Sequence, residues 1–499
     1  MVGDQRKQPA IGEVEIPHRL KGLEWLVPGF VAALVGVWYT GGTAVWDDHR
    51  IIEQGLRDVD FDVVQSIWAS PVGGGEVGRQ YYRPMAYTIM ALVYQFGFVG
   101  LHVAAVICHA ISAVLVGLLG KDSRWPMMGG VIFAAHPAAS EVLGWASALP
   151  DALAVVLGLL GVWSAVHFEN RKGMVWALFA WCAAALCKPT GLLFGLVAML
   201  LVKPERRTTA LGAWLSVIIA WWCLRSWLGV QTPSVESWDL AGDSLGWAWS
   251  LYFWPFPVTA VRDLWALAEW QWMLGWFGVM MLGVVALWRR LHLALVGWAV
   301  MVIGPILAIP IILQGYLVAD RYVYLGVLGV GWIFAALIPK NRWMGFLVAI
   351  CVGGALVFHV QRASAWTSDE TLFQDAAEAY PSSSYGWHFL GHALHIQGDE
   401  HRASLAFENA VRGIRPHPMD FTFFVRCAVE AGRAQDALKW AENEGPKENL
   451  TAEYIAWWAK AAMEAGDLEL AKARLIALKK PDHWDGPGWV AGFAQELGL

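Results

Sequence analysis

Residues 23–45 read LEWLVPGFVAALVGVWYTGGTAV and are followed at once by Trp46-Asp47-Asp48. The stretch carries one charge, Glu24. Its length is sufficient to cross a hydrocarbon layer about 30 Å thick. Arg6, Lys7, Arg19 and Lys21 precede it. Basic residues gather on the cytoplasmic side of a membrane. The pattern therefore predicts a first span with the N-terminus in the cytoplasm and Asp47 and Asp48 on the far face. The short apolar core and small-residue cleavage site of a signal peptide are lacking, so the segment is expected to stay.

Composition extends this reading to most of the chain. Of 499 residues, 57% are hydrophobic and 16% charged, against about 25% charged in a soluble domain. The charge is unevenly placed. Residues 362–499 hold 13 Lys+Arg and 20 Asp+Glu, whereas residues 1–361 hold 23 and 22. A nearly neutral membrane part, 1–361, thus precedes an acidic, soluble-looking tail, 362–499. Neither half is basic enough to suggest nucleic acid. None of the six cysteines forms a Cys-x-x-Cys pair, so neither a disulfide framework nor a zinc site is read from spacing.

Basic clusters at Lys121/Arg124, Arg171/Lys172, Lys203/Arg206/Arg207, Arg289/Arg290 and Lys340/Arg342 punctuate the apolar runs. Taken as cytoplasmic, they predict about eleven spans, near 23–45, 101–120, 127–145, 150–167, 173–188, 190–202, 209–229, 271–288, 293–314, 322–339 and 343–360. An odd number places the tail outside the cytoplasm. The first loop, 47–82, has seven acidic and three basic residues. Its Ile51, Ile52, Leu56, Val63, Val64, Ile67 and Trp68 suggest helices lying in the membrane interface. Residues 245–258 read as an interfacial or re-entrant segment.

The tail repeats itself. Gly398, Gly432 and Gly466 are spaced by 34 residues, as are Ala403, Ala437 and Ala471. Thirty-four is the tetratricopeptide period. Trp387, Leu390, Gly391, Leu394, Ala403 and Phe407 fit that pattern in the first unit. About three repeats and a capping helix within 486–499 are expected, forming an all-α solenoid that offers a contact surface.

Ionisable residues beside membrane spans are expensive and point to function. Asp47, Asp48, Arg83, His136, Glu141, Asp151, Lys188, Asp320 and Arg321 all fall on the predicted far side. Asp47 and Asp48 have the chemistry to deprotonate a hydroxyl or hold a divalent cation such as Mg or Mn. Arg83, Lys188 and Arg321 suit an anionic group. An ion pair of Lys188 with Asp151 or Glu141 is an equal reading. His102 and His109 share a helix, where hydrogen bonding is the simpler role, as it is for His136.

The order of these motifs is Trp46-Asp47-Asp48, Tyr82-Arg83-Pro84, His102 to His109, His136-Pro137, Glu141, Asp151, Lys188-Pro189, Asp320-Arg321-Tyr322 and Trp366 to Leu372. It resembles the transmembrane and tetratricopeptide repeat O-mannosyltransferase family and its bacterial relatives, which are GT-C glycosyltransferases. The likeness covers nearly the whole chain. It departs at Leu149-Pro150 and Pro189, where members often carry Arg and Glu. The resemblance implies an inverting enzyme that uses a polyprenyl-phosphate sugar and transfers the sugar, mannose or another hexose, to a protein or glycan. Asp47 and Asp48 would take the catalytic and metal roles. Glu141, Lys188 and Arg321 would line the cavity for donor phosphate and acceptor. The implied setting is a bacterial inner membrane with periplasmic repeats, or the endoplasmic reticulum with lumenal ones. Membrane lipids and an acceptor or assembly partner would be the contacts. A membrane-anchored repeat scaffold without catalysis, or a polysaccharide polymerase or ligase, are the competing expectations.

Overall fold

The computed structural model describes residues 22–56, 60–71, 81–168, 170–231, 235, 237–260, 262–315, 317–448, 450–480 and 483–499. Among these the chain is all-α, with 24 α-helices and one antiparallel ribbon that pairs Arg262–Asp263 with Leu317–Val318. Six helices are long and apolar enough to cross a membrane: Gly97–Leu119, Ala146–His167, Pro204–Trp227, Glu269–Trp288, His292–Gly315 and Arg342–Thr367. Five further apolar helices are shorter: Leu23–Tyr39, Pro84–Tyr94, Pro126–Ala135, Pro189–Leu201 and Arg321–Leu337. The outer faces stay apolar, with Phe277, Leu287, Trp288, Phe346 and Ile350 all exposed. Such side chains face lipid at no cost, whereas in water they would form an unusually large apolar patch.

Proline decides where several helices stop. It fits the first turn of a helix, and it forces the residue before it towards extended backbone. His136, ahead of Pro137, sits at φ −67 and ψ 133. The segment expected as one span over 127–145 is therefore broken there, and a new helix runs Ala139–Gly144. Lys188, ahead of Pro189, is extended at φ −158 and ψ 140. Arg83 precedes Pro84–Tyr94 at φ −138 and ψ 53. Each break leaves a polar side chain at the head of a helix rather than within one.

Small residues set the tightest packing. A Cβ on Gly331 would lie 2.4 Å from the Gly129 carbonyl oxygen. The helices Pro126–Ala135 and Arg321–Leu337 can approach that closely only without side chains there. Of the 245–258 segment, residues 245–250 lie in the helix Ala241–Ser250, packed on Glu269–Trp288, and 251–258 are non-helical.

The first loop contains a π-turn at His49–Glu53 and a helix, Phe61–Ala69, capped by the Asp60 carboxylate on the Val63 amide. Residues 57–59 and 72–80 of that loop lie outside the described residues.

A short turn, Ser364–Thr367, joins the last long helix to the tail. The tail then runs Asp369–Ala379, Ser384–Ile396, Glu400–Arg412, Pro418–Glu430, Ala434–Asn443, Ala452–Glu464, Leu468–Ile476 and Val490–Glu496. The glycines of the 34-residue period end helices in left-handed backbone: φ is 81 at Gly398, 75 at Gly432 and 94 at Gly466. That conformation suits glycine, and it turns each helix back on its partner. Ala403, Ala437 and Ala471 are fully buried where the helices meet. Val490–Glu496 closes the end on Ala456, Ala459 and Leu475.

The tail packs firmly on the membrane part. Trp366 lies against Gly144, where an added Cβ would come within 2.5 Å of the indole. Tyr385 Oη donates to the Gly315 carbonyl at 3.2 Å. Arg362, in the last long helix, pairs with Asp375 of the tail at 2.6 Å.

Candidate functional site

A cavity of about 340 Å³ opens between the first loop and the heads of several helices. Asp47, Arg83, Asp151, Lys188 and Arg321 line it, together with Arg50, Tyr81, Trp145, Ser147 and Tyr322. Five residues singled out from sequence thus meet in one place, although 274 positions separate Asp47 from Arg321. The walls hold four cationic side chains (Arg50, Arg83, Lys188, Arg321) against two carboxylates (Asp47, Asp151).

Local sequence explains each position. Asp151 falls in the first turn of Leu149–His167, where the helix dipole favours a carboxylate. Its Oδ1 accepts from Lys188 Nζ at 2.5 Å, and both side chains are nearly buried. Arg321 opens Arg321–Leu337. Glu141 accepts from its backbone amide at 2.9 Å and forms an ion pair with its guanidinium. Glu141 is buried behind Arg321 and does not reach the cavity. Indole rings support the guanidinium of Arg321: its carbon lies 4.8 Å from the Trp145 ring centre and 6.0 Å from that of Trp46. Arg83 is different. It lies 4.8 Å over the Tyr81 ring, and its Nε is buried without a hydrogen-bond partner among the described residues. No carboxylate pairs with it there.

The two loop carboxylates part company. Asp47 faces the cavity, with Oδ1 3.8 Å from Arg50 Nη2. Asp48 is fully buried and absent from the cavity lining. Its Oδ1 accepts from the Ser147 amide at 2.8 Å and the Ser147 hydroxyl at 2.5 Å, while Oδ2 accepts from the Val45 amide at 3.3 Å. Burial pushes the Asp48 carboxyl up to about 7, the hydrogen bonds pulling the other way. The expectation that both aspartates present carboxylates to one cation does not fit this geometry. One points into the cavity and the other fastens the loop to Ser147.

The loop is held from the tail. Trp46 sits in left-handed backbone at φ 57, unfavourable for a bulky residue. Two contacts hold it there. Its amide donates to Asp369 Oδ1 at 2.6 Å, and its ring stacks on Trp145 with centres 5.1 Å apart. Phe373 and Phe389 of the tail pack on the same indole. His49 Nδ1 lies 2.8 Å from Glu53 and Nε2 3.2 Å from Asp369 Oδ2. Burial lowers the affinity of His49 for a proton, but the two carboxylates outweigh it and the pKa is raised.

The remaining expected residues lie elsewhere. Asp320 is buried against Arg262, 2.9 Å away, and takes no part in the cavity. His102 Nδ1 bonds the Leu143 carbonyl at 2.9 Å, His109 Nδ1 the Tyr324 hydroxyl at 2.9 Å, and the Ala138 amide donates to His136 Nδ1 at 3.1 Å. None of the three histidines lines the cavity. Sequence reasoning missed Trp145, Ser147 and Arg262, and it placed Asp369 in the Trp366-to-Leu372 motif without assigning it a contact. Only their contacts mark them, because an isolated Trp or Ser carries no spacing signal.

Searched against protein-family models, curated proteins and solved structures, the chain matches none.

Proposed function

We propose that this chain is an integral-membrane inverting glycosyltransferase that moves a sugar from a polyprenyl-phosphate donor to a hydroxyl of a protein or glycan. The cationic surplus of the cavity carries the reading: Arg50, Lys188 and Arg321 each face a carboxylate (Asp47, Asp151 and Glu141), and no carboxylate pairs with Arg83 among the described residues. Such a pocket suits an anionic group. Its volume lies at the lower end of those that hold small ligands. In this proposal Arg83 and Lys188 hold the donor phosphate, and Arg321 orients it. Asp47 is the general base, a change from the sequence expectation that gave Asp48 an equal role. The acceptor oxygen attacks the anomeric carbon, the bond from that carbon to the phosphate oxygen breaks, and the acceptor proton passes to Asp47. The phosphate leaves carrying the electron pair and the negative charge.

The shorter apolar helices other than Pro84–Tyr94, with Arg171–Cys187, would complete about eleven crossings. The tail's helix pairs would be tetratricopeptide repeats that present a protein acceptor or assembly partner. A bacterial inner membrane with periplasmic repeats is the setting we favour.

The test compares glycoproteins and glycolipids by mass spectrometry in wild type, a deletion strain, and the deletion carrying Asp47→Asn or Arg83→Ala at matched protein levels. The reading expects a hexose-sized mass to disappear in the deletion and in both variants. A glycan profile that stays unchanged in the deletion, with a phenotype that both variants rescue, would leave a membrane-anchored repeat scaffold instead.

A further inference from the structure

The tail carries a second cluster of reactive side chains, remote in sequence from the cavity. His395 lies in the last turn of Ser384–Ile396, and Glu400 opens Glu400–Arg412. The left-handed Gly398 folds these helix ends together. Cys427 comes from Pro418–Glu430 in the next helix pair. The three meet closely. His395 Nδ1 lies 2.8 and 2.9 Å from the two Glu400 carboxylate oxygens and 3.7 Å from Cys427 Sγ. Among the described residues no other three His, Cys, Asp or Glu side chains offer ligand atoms this close together.

The separations suit a tetrahedral cation of borderline softness. Zinc bonds of about 2.0–2.1 Å to nitrogen and 2.3 Å to sulfur place those atoms ~3.6 Å apart. The nitrogen and sulfur already sit at that distance. The nitrogen and oxygen would have to part by roughly 0.5 Å to reach the same geometry. Glu400 has the freedom to do so, because its side chain is 22% exposed. Cys427 is fully buried, so the metal would enter past Glu400 and His395.

We propose that His395 Nδ1, the Glu400 carboxylate and the Cys427 thiolate bind one divalent cation of the zinc class, with water in the fourth position. As the sulfur–metal bond forms, the thiol proton is released to solvent. The His395 proton moves to Nε2, which frees the Nδ1 lone pair. The cation would link the helix pair Ser384–Arg412 to the next one through Cys427. This site is independent of the glycosyltransferase reading.

The test uses the full-length chain in detergent, stripped with chelator and titrated with Co²⁺. The expected result is one equivalent bound, with a thiolate-to-cobalt absorption in the near ultraviolet that Zn²⁺ abolishes. Apparent affinity should rise with pH, because the metal competes with protons for its ligands. Cys427→Ser should lose the ultraviolet band. Glu400→Gln, at a partly exposed position, should fold normally and bind at least tenfold more weakly. Zn²⁺ should raise the thermal midpoint of wild type and leave that of Glu400→Gln nearly unmoved at the same concentration. Absence of the thiolate band in wild type, or its persistence in Cys427→Ser, overturns the proposal. So does Glu400→Gln binding Co²⁺ as tightly as wild type, a readout that stands even if Cys427→Ser fails to fold.

Discussion

Consider the removal of Lys188 from its pair with Asp151. The two charges meet at 2.5 Å, with side chains each 9% exposed. Removing one member of such a buried pair costs about 3–5 kcal/mol, because the survivor is left uncompensated. Asp151 retains some compensation in Lys188→Met. It lies in the first turn of Leu149–His167, and a carboxylate there gains ~0.3–1 kcal/mol from the helix dipole. Lys188→Met should therefore cost about 2–4 kcal/mol. Asp151→Asn should cost at least as much, since it leaves an ammonium facing the same cavity as Arg83 and Arg321. The double variant removes both charges and should lie within about 1 kcal/mol of wild type. The coupling energy is then at least ~3 kcal/mol, which is on the order of a hundredfold in an unfolding constant. The assay is a double-mutant cycle of reversible unfolding in mixed micelles, with each protein first checked for monodispersity. Single variants as stable as wild type, or a coupling below about 0.5 kcal/mol, would refute the claim that this pair is desolvated and mutually dependent.

Stability should rise as pH falls from about 8 to 6, for two reasons. The Asp48 pKa is raised to about 7, so its burial penalty is full above 7 and relieved as the pH drops towards the unfolded value near 4. His49 has a raised pKa, so its contribution is fully present below about 6.5 and fades as pH climbs through the folded value. Thermal midpoints across this range should flatten in the Asp48→Asn, His49→Gln double variant, and an unchanged slope contradicts both assignments. Arg83→Ala should leave the thermal midpoint within experimental error, since no carboxylate pairs with Arg83 among the described residues. It should weaken binding of a polyprenyl-phosphate analogue by at least tenfold, as expected for a charge-assisted contact of ~1.5–3 kcal/mol; equal affinity by calorimetry argues against a phosphate clamp. Gly144→Ala would drive a methyl against Trp366 and should cost ~1–3 kcal/mol. Limited proteolysis in 364–369 should accelerate, and a wild-type cleavage pattern would show that this contact does not hold the tail.

Much of the architecture was legible because its causes are local. Apolar length, basic clusters and proline positions follow from the energetics of lipid and backbone at each point along the chain. The 34-residue glycine period was readable because each turn needs left-handed backbone, which Gly432 adopts at φ 75. The gathering of Asp47, Arg83, Asp151, Lys188 and Arg321 was partly legible, since each charge beside a span needs a reason to be there. Other features depended on long-range contact. The sequence offered Asp47 and Asp48 as a pair, and their separation arises because Ser147, 99 positions from Asp48, supplies two donors to Asp48 alone. Asp320 looked like a cavity residue, yet the buried Arg262 claims it from 58 positions away. The cluster of His395, Glu400 and Cys427 has no spacing signature, because its ligands come from three helices of two neighbouring pairs. Thus the sequence alone determined that the chain holds helices long and apolar enough to cross a membrane and where the tail's turns recur. Tertiary structure decided which charges face the cavity and which are consumed, because in a dry interior a buried charge goes to whichever partner the packing brings within hydrogen-bond reach.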